Sequence, residues 1–569
     1  MSSTLRSKAE AKIDIANGNE GPMQPEETRA GTVIRNPVLP GFHPDPSIVR
    51  VGGEFVLANS TFEWCPGVRL HRSEDLAHWE PLGGALTRDQ LLDLAGAPDS
   101  GGVWAPNLSY ADGLFHLVYS NVSSYVGGFS DCPNYLTTSP SATGPWSEPV
   151  LLHARGFDAS LFHDGDASWL INLVHDWRPG HGGSAGLEAT RFDRATRGLV
   201  GEPERIVLPP QAGWIEGPNL YRRGDWYYLV TADGGTGYEH RVTVARSRAL
   251  TGPYERDTHG PLVTAMNDAD LPLQKAGHGS LVEAEDGAWY LAYLVARPIG
   301  RRGPCVLGRE TALARVEWTP DGWPRVDGGQ PALTVAGPTG RQIDDPAGTA
   351  VDGSDGFDEP VLGADWSTLR RHADESWVSL TERPSYLRLR GGRSPRSLVG
   401  PSLVARRVTE LRCAFEATLA YQPLAFQHLA GITAYYNTLN WYFLHVTRDD
   451  EGRTVLRVAA SDQGVVRVDE AGQHVLGEGA VRSRLGLDFD GAGLRFRYLD
   501  ETGGEWRTIG GAFDATVLSD EHAEDIVDGQ IRSMGFTGAL VGLWAWDLDG
   551  RGHPADFDEA GYTPYPERA

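Results

Sequence analysis

Three carboxylates and a histidine occupy similar places in four similar stretches of this sequence. Asp45 lies in PDPSIV, Asp158 in FDASLF, Glu216 in EGPNLY and His278 in GHGSLV. Two prolines flank Asp45 and hold it in a stiff, extended piece of chain. A turn that happens to use Asp would account for one such stretch, but it would not account for the recurrence.

A fifth stretch, WAPNLSY, completes a set of repeats. Each member has Ser or Asn, then Leu or Ile, a polar turn and an aromatic-rich strand with alternating residues. The Ser or Asn stands at positions 47, 107, 160, 219 and 280, so the repeat is about 60 residues long. That length holds about four strands. Five such units predict an all-β fold that begins with a five-bladed β-propeller.

The first strand of each propeller blade lines the central axis, so equivalent positions of the repeats converge there. The residues expected at one mouth are the acids Asp45, Asp158 and Glu216, His278, and the aromatic Trp104 and Phe157. Three acids pointing together repel one another and are costly to desolvate. Because packing alone would rarely place them so, we interpret this mouth as a functional site.

Such a cluster could bind a divalent cation, or it could carry out acid–base catalysis. The aromatic residues favour a sugar ligand, because ring faces stack on sugar C–H groups while carboxylates bind the hydroxyls. Glycoside hydrolysis requires one protonated and one ionised carboxyl group across the scissile bond. A third negative charge nearby would raise the pKa of the acid and keep it protonated. Catalysis is therefore favoured over metal binding.

With 569 residues the chain is too long for one core, and two or three domains are expected. Residues 1–31 are interpreted as a polar N-terminal tail and 32–338 as the propeller. The Pro-, Gly- and Asp-rich stretch 339–356 is predicted to be a linker. Alternating strands then recur over 357–569, which predicts an antiparallel β-sandwich.

The formal net charge of −25 argues against nucleic acid or an anionic membrane as a partner. The N-terminus lacks the apolar region of a signal peptide, and no run of 18 apolar residues occurs. A cytoplasmic location is therefore expected. The four cysteines show neither metal-site nor disulfide spacing, and the oligomeric state, including a homo-oligomer, stays open.

From about Asn36 to near the C-terminus, the sequence resembles the β-xylosidases of glycoside hydrolase family 43. The matching stretches include NPVLPGFHPDPSI, GVWAPNLSY, GFDASLFHDGD, EGPNLY, LPLQKAGHGSLVE, LGRETAL, AGITAYYNTLNWYFLHVTRD and GFTGALVG. Any one of them would be weak, but so many in the right order make the resemblance specific. It implies a five-bladed propeller followed by a concanavalin A-like antiparallel β-sandwich that closes the active site.

The resemblance also implies roles for the three acids. Asp45 matches the general base that activates water, and Glu216 matches the general acid that protonates the leaving oxygen. Asp158 matches the third acid, which raises the pKa of Glu216 and orients it.

Further residues are expected to bind substrate, and Phe157 is one of them. Phe62 and Trp104 resemble the walls of the sugar subsite, and Arg309 resembles an arginine that reaches the sugar hydroxyls. His278 resembles an axial histidine that helps bind a cation or water in some relatives, and Phe536 would reach the mouth from the sandwich. Each of these residues has an alternative interpretation. Arg309 could form an ordinary ion pair, and His278 could be a core histidine with its hydrogen bonds satisfied. Phe62 and Trp104 could belong to the propeller core.

A pocket closed at one end suits the release of single sugars from chain ends. The expected function is that of an exo-acting, inverting β-1,4-xylosidase that releases xylose from the non-reducing ends of xylo-oligosaccharides. An α-L-arabinofuranosidase or a bifunctional enzyme is the near alternative, and a non-catalytic carbohydrate-binding protein is the alternative of a different class. No organic cofactor is expected. A divalent cation such as calcium could bind at the propeller axis, with His278 as a possible ligand.

Three positions depart from the family pattern. Cys65 stands where an aromatic residue is more usual, Ala159 replaces a proline, and Asn219 replaces a histidine. None of these changes removes a carboxylate, so they bear on sugar affinity or choice rather than on catalysis itself.

Overall fold

The computed structural model describes residues 32–178, 181, 183–208, 214–339, 353–469, 472–500, 504–527 and 530–565. The predicted N-terminal tail lies outside the described residues, as does most of the predicted linker. The described residues form two all-β regions, a propeller and a sandwich. The all-β prediction is thereby confirmed.

The propeller begins with a short strand and the first two blades. Strand β1 (Val33–Arg35) precedes the segment of blade 1, which contains β2 (Ser47–Val51), β3 (Glu54–Asn59), β4 (Trp64–Cys65), β5 (Gly67–Ser73) and β6 (Glu80–Leu86). Blade 2 contains β7 (Gly102–Ala111), β8 (Leu114–Val122), the 3-10 helix Val126–Gly128, β9 (Asn134–Ser139) and β10 (Val150–His153).

Three more blades follow. Blade 3 contains β11 (Ser160–Asp164), β12 (Ala167–Asp176), β13 (Gly183–Asp193) and β14 (Gly198–Arg205). Blade 4 contains β15 (Ile215–Arg223), β16 (Trp226–Asp233), β17 (Arg241–Ser247), β18 (Glu255–Arg256) and β19 (Val263–Thr264). Blade 5 contains β20 (Gln274–Glu283), β21 (Trp289–Ala296), β22 (Glu310–Trp318) and β23 (Pro324–Val326), and then come the 3-10 helix Asp327–Gly329 and β24 (Thr334–Ala336).

The Ser and Asn residues of the repeat join the blades around the axis. Each lies in the first strand of its blade, and each bonds to the next blade: Ser47 with Leu108 N–H (2.9 Å), Asn107 with Leu161 N–H (2.9 Å), Ser160 with Pro218 O (2.5 Å), Asn219 with Gly279 O (3.2 Å) and Ser280 with Ile48 N–H (3.2 Å). The pairing of β1 with β24 brings the two ends of the propeller together. The repeat in the sequence is therefore also the ring of bonds that closes the propeller.

The sandwich is built from residues beyond the propeller. Its elements are β25 (Ser367–Leu369), β26 (Val378–Ser379), β27 (Leu387–Arg390), β28 (Leu403–Arg407), β29 (Arg412–Tyr421), β30 (His428–Tyr435), β31 (Trp441–Arg448), β32 (Thr454–Asp462), β33 (Val465–Val468), β34 (His474–Gly477), β35 (Val481–Asp490), β36 (Gly493–Asp500), β37 (Arg507–Asp514), the 3-10 helix Ala515–Leu518, α1 (Asp520–Ala523), β38 (Asp525–Val527), β39 (Gln530–Ser533), β40 (Leu540–Asp547) and β41 (Pro554–Pro564).

Two antiparallel sheets face each other in this sandwich. One runs in the order β26-β27-β41-β29-β35-β36-β37, and the other in the order β33-β32-β31-β30-β40-β28-β25-β4, with β34 also paired to β32. Strands β38 and β39 form a separate hairpin. None of the described helices has the length and hydropathy of a membrane span.

Strand β4 lies in the blade 1 segment but belongs to the sandwich. Cys65 pairs with Thr368 and Trp64 pairs with Leu369, so a sandwich sheet ends on propeller residues. A hydrophobic cluster continues across the same boundary, from Phe62 in the propeller to Trp544 in the sandwich. The two domains therefore share both a sheet and a core.

Candidate active site

The backbone directs the functional side chains toward the axis by a local distortion at the start of the inner strands. Asp45, Asp158 and His278 adopt left-handed φ angles of 53°, 55° and 47°, and Gly217 at the equivalent place in blade 4 has φ 56°. The extended conformation predicted for Asp45 between its two prolines is therefore wrong. Non-glycine residues rarely adopt this conformation, and where they do, function is a common reason. The strand pairing is also irregular between Glu216 and Asn219 and around His278. The repeat therefore sets both the position and the unusual direction of these side chains.

The structure brings all nine residues singled out from the sequence into one pocket of about 300 Å³. These are Asp45, Asp158, Glu216, Phe62, Trp104, Phe157, His278, Arg309 and Phe536. The first eight come from the propeller, whereas Phe536 follows β39 in the sandwich. The pocket thus lies at the mouth of the propeller and is completed by the second domain.

Asp45 has positively charged and donor groups around it. Arg309 Nη1 lies 3.4 Å and His278 Nδ1 lies 3.8 Å from its Oδ1, and the Ser60 hydroxyl donates to its Oδ2 at 2.6 Å. Burial raises the pKa of Asp45, but Arg309, His278 and Ser60 outweigh burial and hold that pKa below its ordinary value. Asp45 is therefore an ionised carboxylate.

Glu216 stands in a different setting. Its Oε2 accepts a hydrogen bond from the indole N–H of Trp214 at 2.6 Å. Burial and the negative charge of Asp45 raise the pKa of Glu216, whereas the hydrogen bond from Trp214 lowers it. The result is a pKa of about 7. At neutral pH a large share of Glu216 therefore carries a proton.

The charges of both other acids act on Asp158. Burial, followed by the charges of Glu216 and Asp45, raises the pKa of Asp158 well above its ordinary value. Its Oδ2 accepts the backbone N–H of Gly217 at 3.0 Å, which fixes the residue next to Glu216. A Cβ atom at Gly217 would lie 2.9 Å from the His278 ring, so glycine is needed at this place.

Arg309 links the charged floor of the pocket to its aromatic wall. It is 2% exposed, and its Nη2 donates to the backbone oxygen of Phe536 at 3.0 Å. The guanidinium carbon also lies 5.4 Å from the ring centre of Phe62 and 4.7 Å from that of Phe536. The ion pair with Asp45 is therefore inside the pocket and not on the surface.

Aromatic rings form the pocket walls. Trp104 meets Phe157 edge-on with ring centres 5.2 Å apart, and it meets Phe536 edge-on at 5.8 Å. Phe62 lies 5.6 Å from Phe536, and Trp214 stacks on Phe157 at 6.1 Å. Phe62 and Trp104 belong to the hydrophobic core and line the pocket at the same time.

The sequence leaves a divalent cation open as an option beside His278, whose Nδ1 lies 3.8 Å from Asp45 Oδ1. Among the described residues, no three His, Cys, Asp or Glu side chains are arranged to hold a metal ion, whereas calcium takes six to eight oxygen ligands. Below Asp158 and His278 the axis has a cavity of about 10 Å³, lined by Ser47 and Asn107 among others. That volume suits one water molecule at most.

Other pocket residues were not singled out from the sequence. They include Tyr125, His175, Trp214, Thr236, Ile531 and Met534. Trp214 could have been found, because it stands two residues before Glu216. Thr236 lies in GGTGYEH, a stretch whose sequence fits a substrate loop and a plain hairpin equally well.

The three departures from the family pattern lie outside the pocket lining. Cys65 pairs with the sandwich through β4, and Ala159 is buried in a small hydrophobic cluster between blades. The side-chain oxygen of Asn219 accepts a bond from Asn107 at 3.1 Å across the axis, besides its bond to Gly279.

The profile of glycosyl hydrolases family 43 matches residues 34–324, and that of the beta-xylosidase C-terminal concanavalin A-like domain matches residues 354–563. A xylosidase/arabinosidase 43B of Humicola insolens is 40% identical over 93% of this chain and 98% of its own. A beta-xylosidase of Bacillus subtilis (strain 168) is 39% identical over 92% of this chain and 98% of its own. The crystal structure of a xylan beta-1,4-xylosidase from Bacillus halodurans C-125 superposes with a TM-score of 0.88 at 44% identity, covering 93% of this chain and 100% of that one.

Proposed function

Because the chain belongs to glycoside hydrolase family 43, we propose that it is an exo-acting, inverting β-1,4-xylosidase. It removes xylose units from the non-reducing ends of xylo-oligosaccharides. The observation that carries the proposal is the contrast between two acids in one pocket, Asp45 held ionised and Glu216 with a pKa of about 7. One ionised and one protonated carboxyl group are what hydrolysis of a glycosidic bond requires.

In the proposed mechanism, a single displacement takes place at the anomeric carbon. Asp45 accepts a proton from a water molecule as the oxygen of that water forms the new C–O bond. Glu216 donates its proton to the departing oxygen as the glycosidic bond breaks. The water attacks from the face opposite the leaving group, so the anomeric configuration inverts, which calls for a separation of roughly 6.5–9.5 Å between the two carboxyl groups.

The other polar groups assist these two acids. Asp158 anchors the backbone beside Glu216 through Gly217 N–H, and its electrostatic coupling to Glu216 favours a proton on one of the pair. Arg309 stabilises the anion of Asp45 and directs donors into the pocket, where sugar hydroxyls can accept them. His278 supports the same carboxylate from the axis.

The form of the pocket supports attack at chain ends. Phe536 and Met534 of the sandwich stand over a pocket whose other walls are Trp104, Phe157 and Phe62. A volume of about 300 Å³ is at the small end for ligand pockets. A small pocket closed by a second domain suits a terminal sugar unit better than an internal segment of a long chain.

The first experiment is to incubate the protein with xylobiose and to follow the products by proton NMR from the earliest time points. We expect α-xylose to appear before mutarotation, and Asp45→Asn to form product at least about a hundredfold more slowly under the same conditions. The early appearance of β-xylose would contradict the inverting mechanism and the role of Asp45.

An arabinofuranosidase activity is the second candidate, and the xylosidase/arabinosidase name of the Humicola insolens relative favours it. Comparing kcat/KM for 4-nitrophenyl β-xyloside and 4-nitrophenyl α-L-arabinofuranoside decides between the two. We expect the xyloside to be preferred. Saturable sugar binding with turnover of neither substrate would support the non-catalytic alternative.

A further inference from the structure

Ser100 lies just before blade 2, between β6 and β7, and its polar groups bond to three residues that line the pocket, Trp104, Met534 and Phe536. It is 1% exposed and adopts a left-handed φ of 58°. A serine in this conformation is strained relative to the usual backbone. The surrounding structure must therefore hold it in place.

The hydroxyl group of Ser100 is bonded twice to the sandwich. It donates to the backbone oxygen of Met534 at 2.8 Å and accepts the backbone N–H of Phe536 at 3.2 Å. Both partners line the pocket. One side chain of the propeller thus fixes the segment by which the second domain closes the site.

The backbone of Ser100 is bonded to the propeller. Its carbonyl oxygen accepts the indole N–H of Trp104 at 2.9 Å, and its N–H donates to Glu63 Oε2 at 3.1 Å. Trp104 and Phe536, which Ser100 holds from its two ends, meet edge-on with ring centres 5.8 Å apart. The residue therefore sets the spacing of two facing walls.

A buried network holds Ser100 itself. The side chain of the neighbouring Asp99 accepts bonds from Arg370 Nη2 at 2.6 Å and from the Thr438 hydroxyl at 2.5 Å, both in the sandwich. Arg370 N–H also donates to the backbone oxygen of Glu63 at 2.9 Å. The contacts that hold Ser100 in place are therefore also contacts between the two domains.

We propose that Ser100 is a positioning residue, which holds Trp104 and the segment 534–536 as facing walls of the sugar pocket. The inference rests on the proposed function, since it takes this pocket to bind the terminal sugar. Ser100 contacts neither Asp45 nor Glu216 in the bonds described above. Its hydroxyl therefore contributes to sugar binding and not to proton transfer.

The test compares Ser100→Ala and Ser100→Gly with Ser139→Ala. Ser139, at the end of β9 in blade 2, is also 1% exposed, and its hydroxyl likewise donates to a backbone oxygen and accepts a backbone N–H, both of Ser141. Ser100→Gly relieves the strain at positive φ while it also removes the hydroxyl. Stability and positioning can thus be separated.

We expect both Ser100 variants to raise KM for 4-nitrophenyl β-xyloside and Ki for xylose by about tenfold, with kcat within about threefold of wild type. Hydrogen–deuterium exchange at residues 534–539 should become faster in both, whereas Ser139→Ala should match wild type in all these measures. Unchanged KM and unchanged exchange in the Ser100 variants would overturn the proposal, as would a loss confined to kcat. If wild type fails to cleave the xyloside, the proposed function fails, and the exchange measurement still decides whether Ser100 holds the segment.

Discussion

The two sides of the pocket floor shift the pKa of a carboxyl group in opposite directions. On the side of blades 1 and 5, Asp45 is 6% exposed, yet its pKa stays low because Arg309, His278 and Ser60 face it. On the side of blade 4, burial raises the pKa of Glu216 to about 7. Both acids are desolvated by burial, but only Asp45 is held ionised.

Burial alone therefore does not decide the charge of an acid in this pocket. Burial acts on both groups, but only at Asp45 do the neighbouring groups, Arg309, His278 and Ser60, outweigh its effect on the pKa. For Glu216, the hydrogen bond from Trp214 and the charge of Arg309 lower the pKa, but they do not offset burial and the like charge of Asp45. The assignment of base and acid follows from these neighbours.

The largest effect is expected when the two acids are replaced separately. Asp45→Asn should lower kcat on all xylosides by about 10² to 10⁴, because every substrate needs the activated water. Glu216→Gln should cause a similar loss on xylobiose but a much smaller one on an aryl xyloside with a very good leaving group. Steady-state kinetics on both substrates check this, and equal losses for Glu216→Gln would contradict the acid assignment.

Replacing the cation beside Asp45 should shift the pH dependence. In wild type, kcat/KM should fall as the pH rises through about 7, where Glu216 loses its proton. Because Arg309 lowers the pKa of both acids, Arg309→Met should move both limbs of the profile upward, the acidic limb by about one to two pH units.

Arg309→Lys serves as the control for this change, since it keeps the positive charge with a different shape. It should reduce activity but leave the acidic limb closer to that of wild type. An acidic limb that stays in place in Arg309→Met would show that this cation does not set the charge of Asp45.

A smaller shift is expected from the uncharged donor on the other side. Trp214→Phe keeps a ring against Phe157 but removes the N–H that bonds Glu216. Loss of a donor to the ionised form raises the pKa of Glu216, so the alkaline limb of kcat/KM should rise by up to about one pH unit. The acidic limb should not move, and a shift of both limbs would mean that the change had disturbed the whole pocket.

The smallest effect concerns a buried acid outside the pocket, and it is measured as stability. Burial raises the pKa of Glu63 to about 8 despite the nearby Arg370. Its contribution to folding is therefore full below the unfolded pKa near 4.5 and is lost as the pH rises toward 8. Glu63→Gln removes this dependence, so its Tm should improve relative to wild type by a few degrees between pH 6 and pH 9. A constant difference in Tm across this range would argue against a raised pKa.

The sequence was sufficient to predict the features that repeat. The spacing of Ser47, Asn107, Ser160, Asn219 and Ser280 predicted five blades, and the same spacing aligned the acids at one mouth. The alternating strands of the second half predicted the sandwich. The structure confirms both domains as types of fold.

Contacts between distant segments could not be predicted in this way. Ser100 and Met534 are joined by a hydrogen bond across more than four hundred residues, and neither stands in a repeat. Strand β4 carries no pattern that assigns it to the sandwich instead of the blade that surrounds it. Such pairings depend on how the two folded domains pack against each other, which no short stretch of sequence encodes.

The sharing of β4 between the domains has a consequence for the growing polypeptide. Cys65 emerges from the ribosome long before its partner Thr368 exists. At 5–20 residues per second, the delay is roughly 15–60 seconds. We expect nascent chains arrested before residue 367 to be cleaved near Trp64 by a protease to which the finished enzyme is resistant. During that interval Trp64 and Cys65 lack the strand with which they pair in the finished protein.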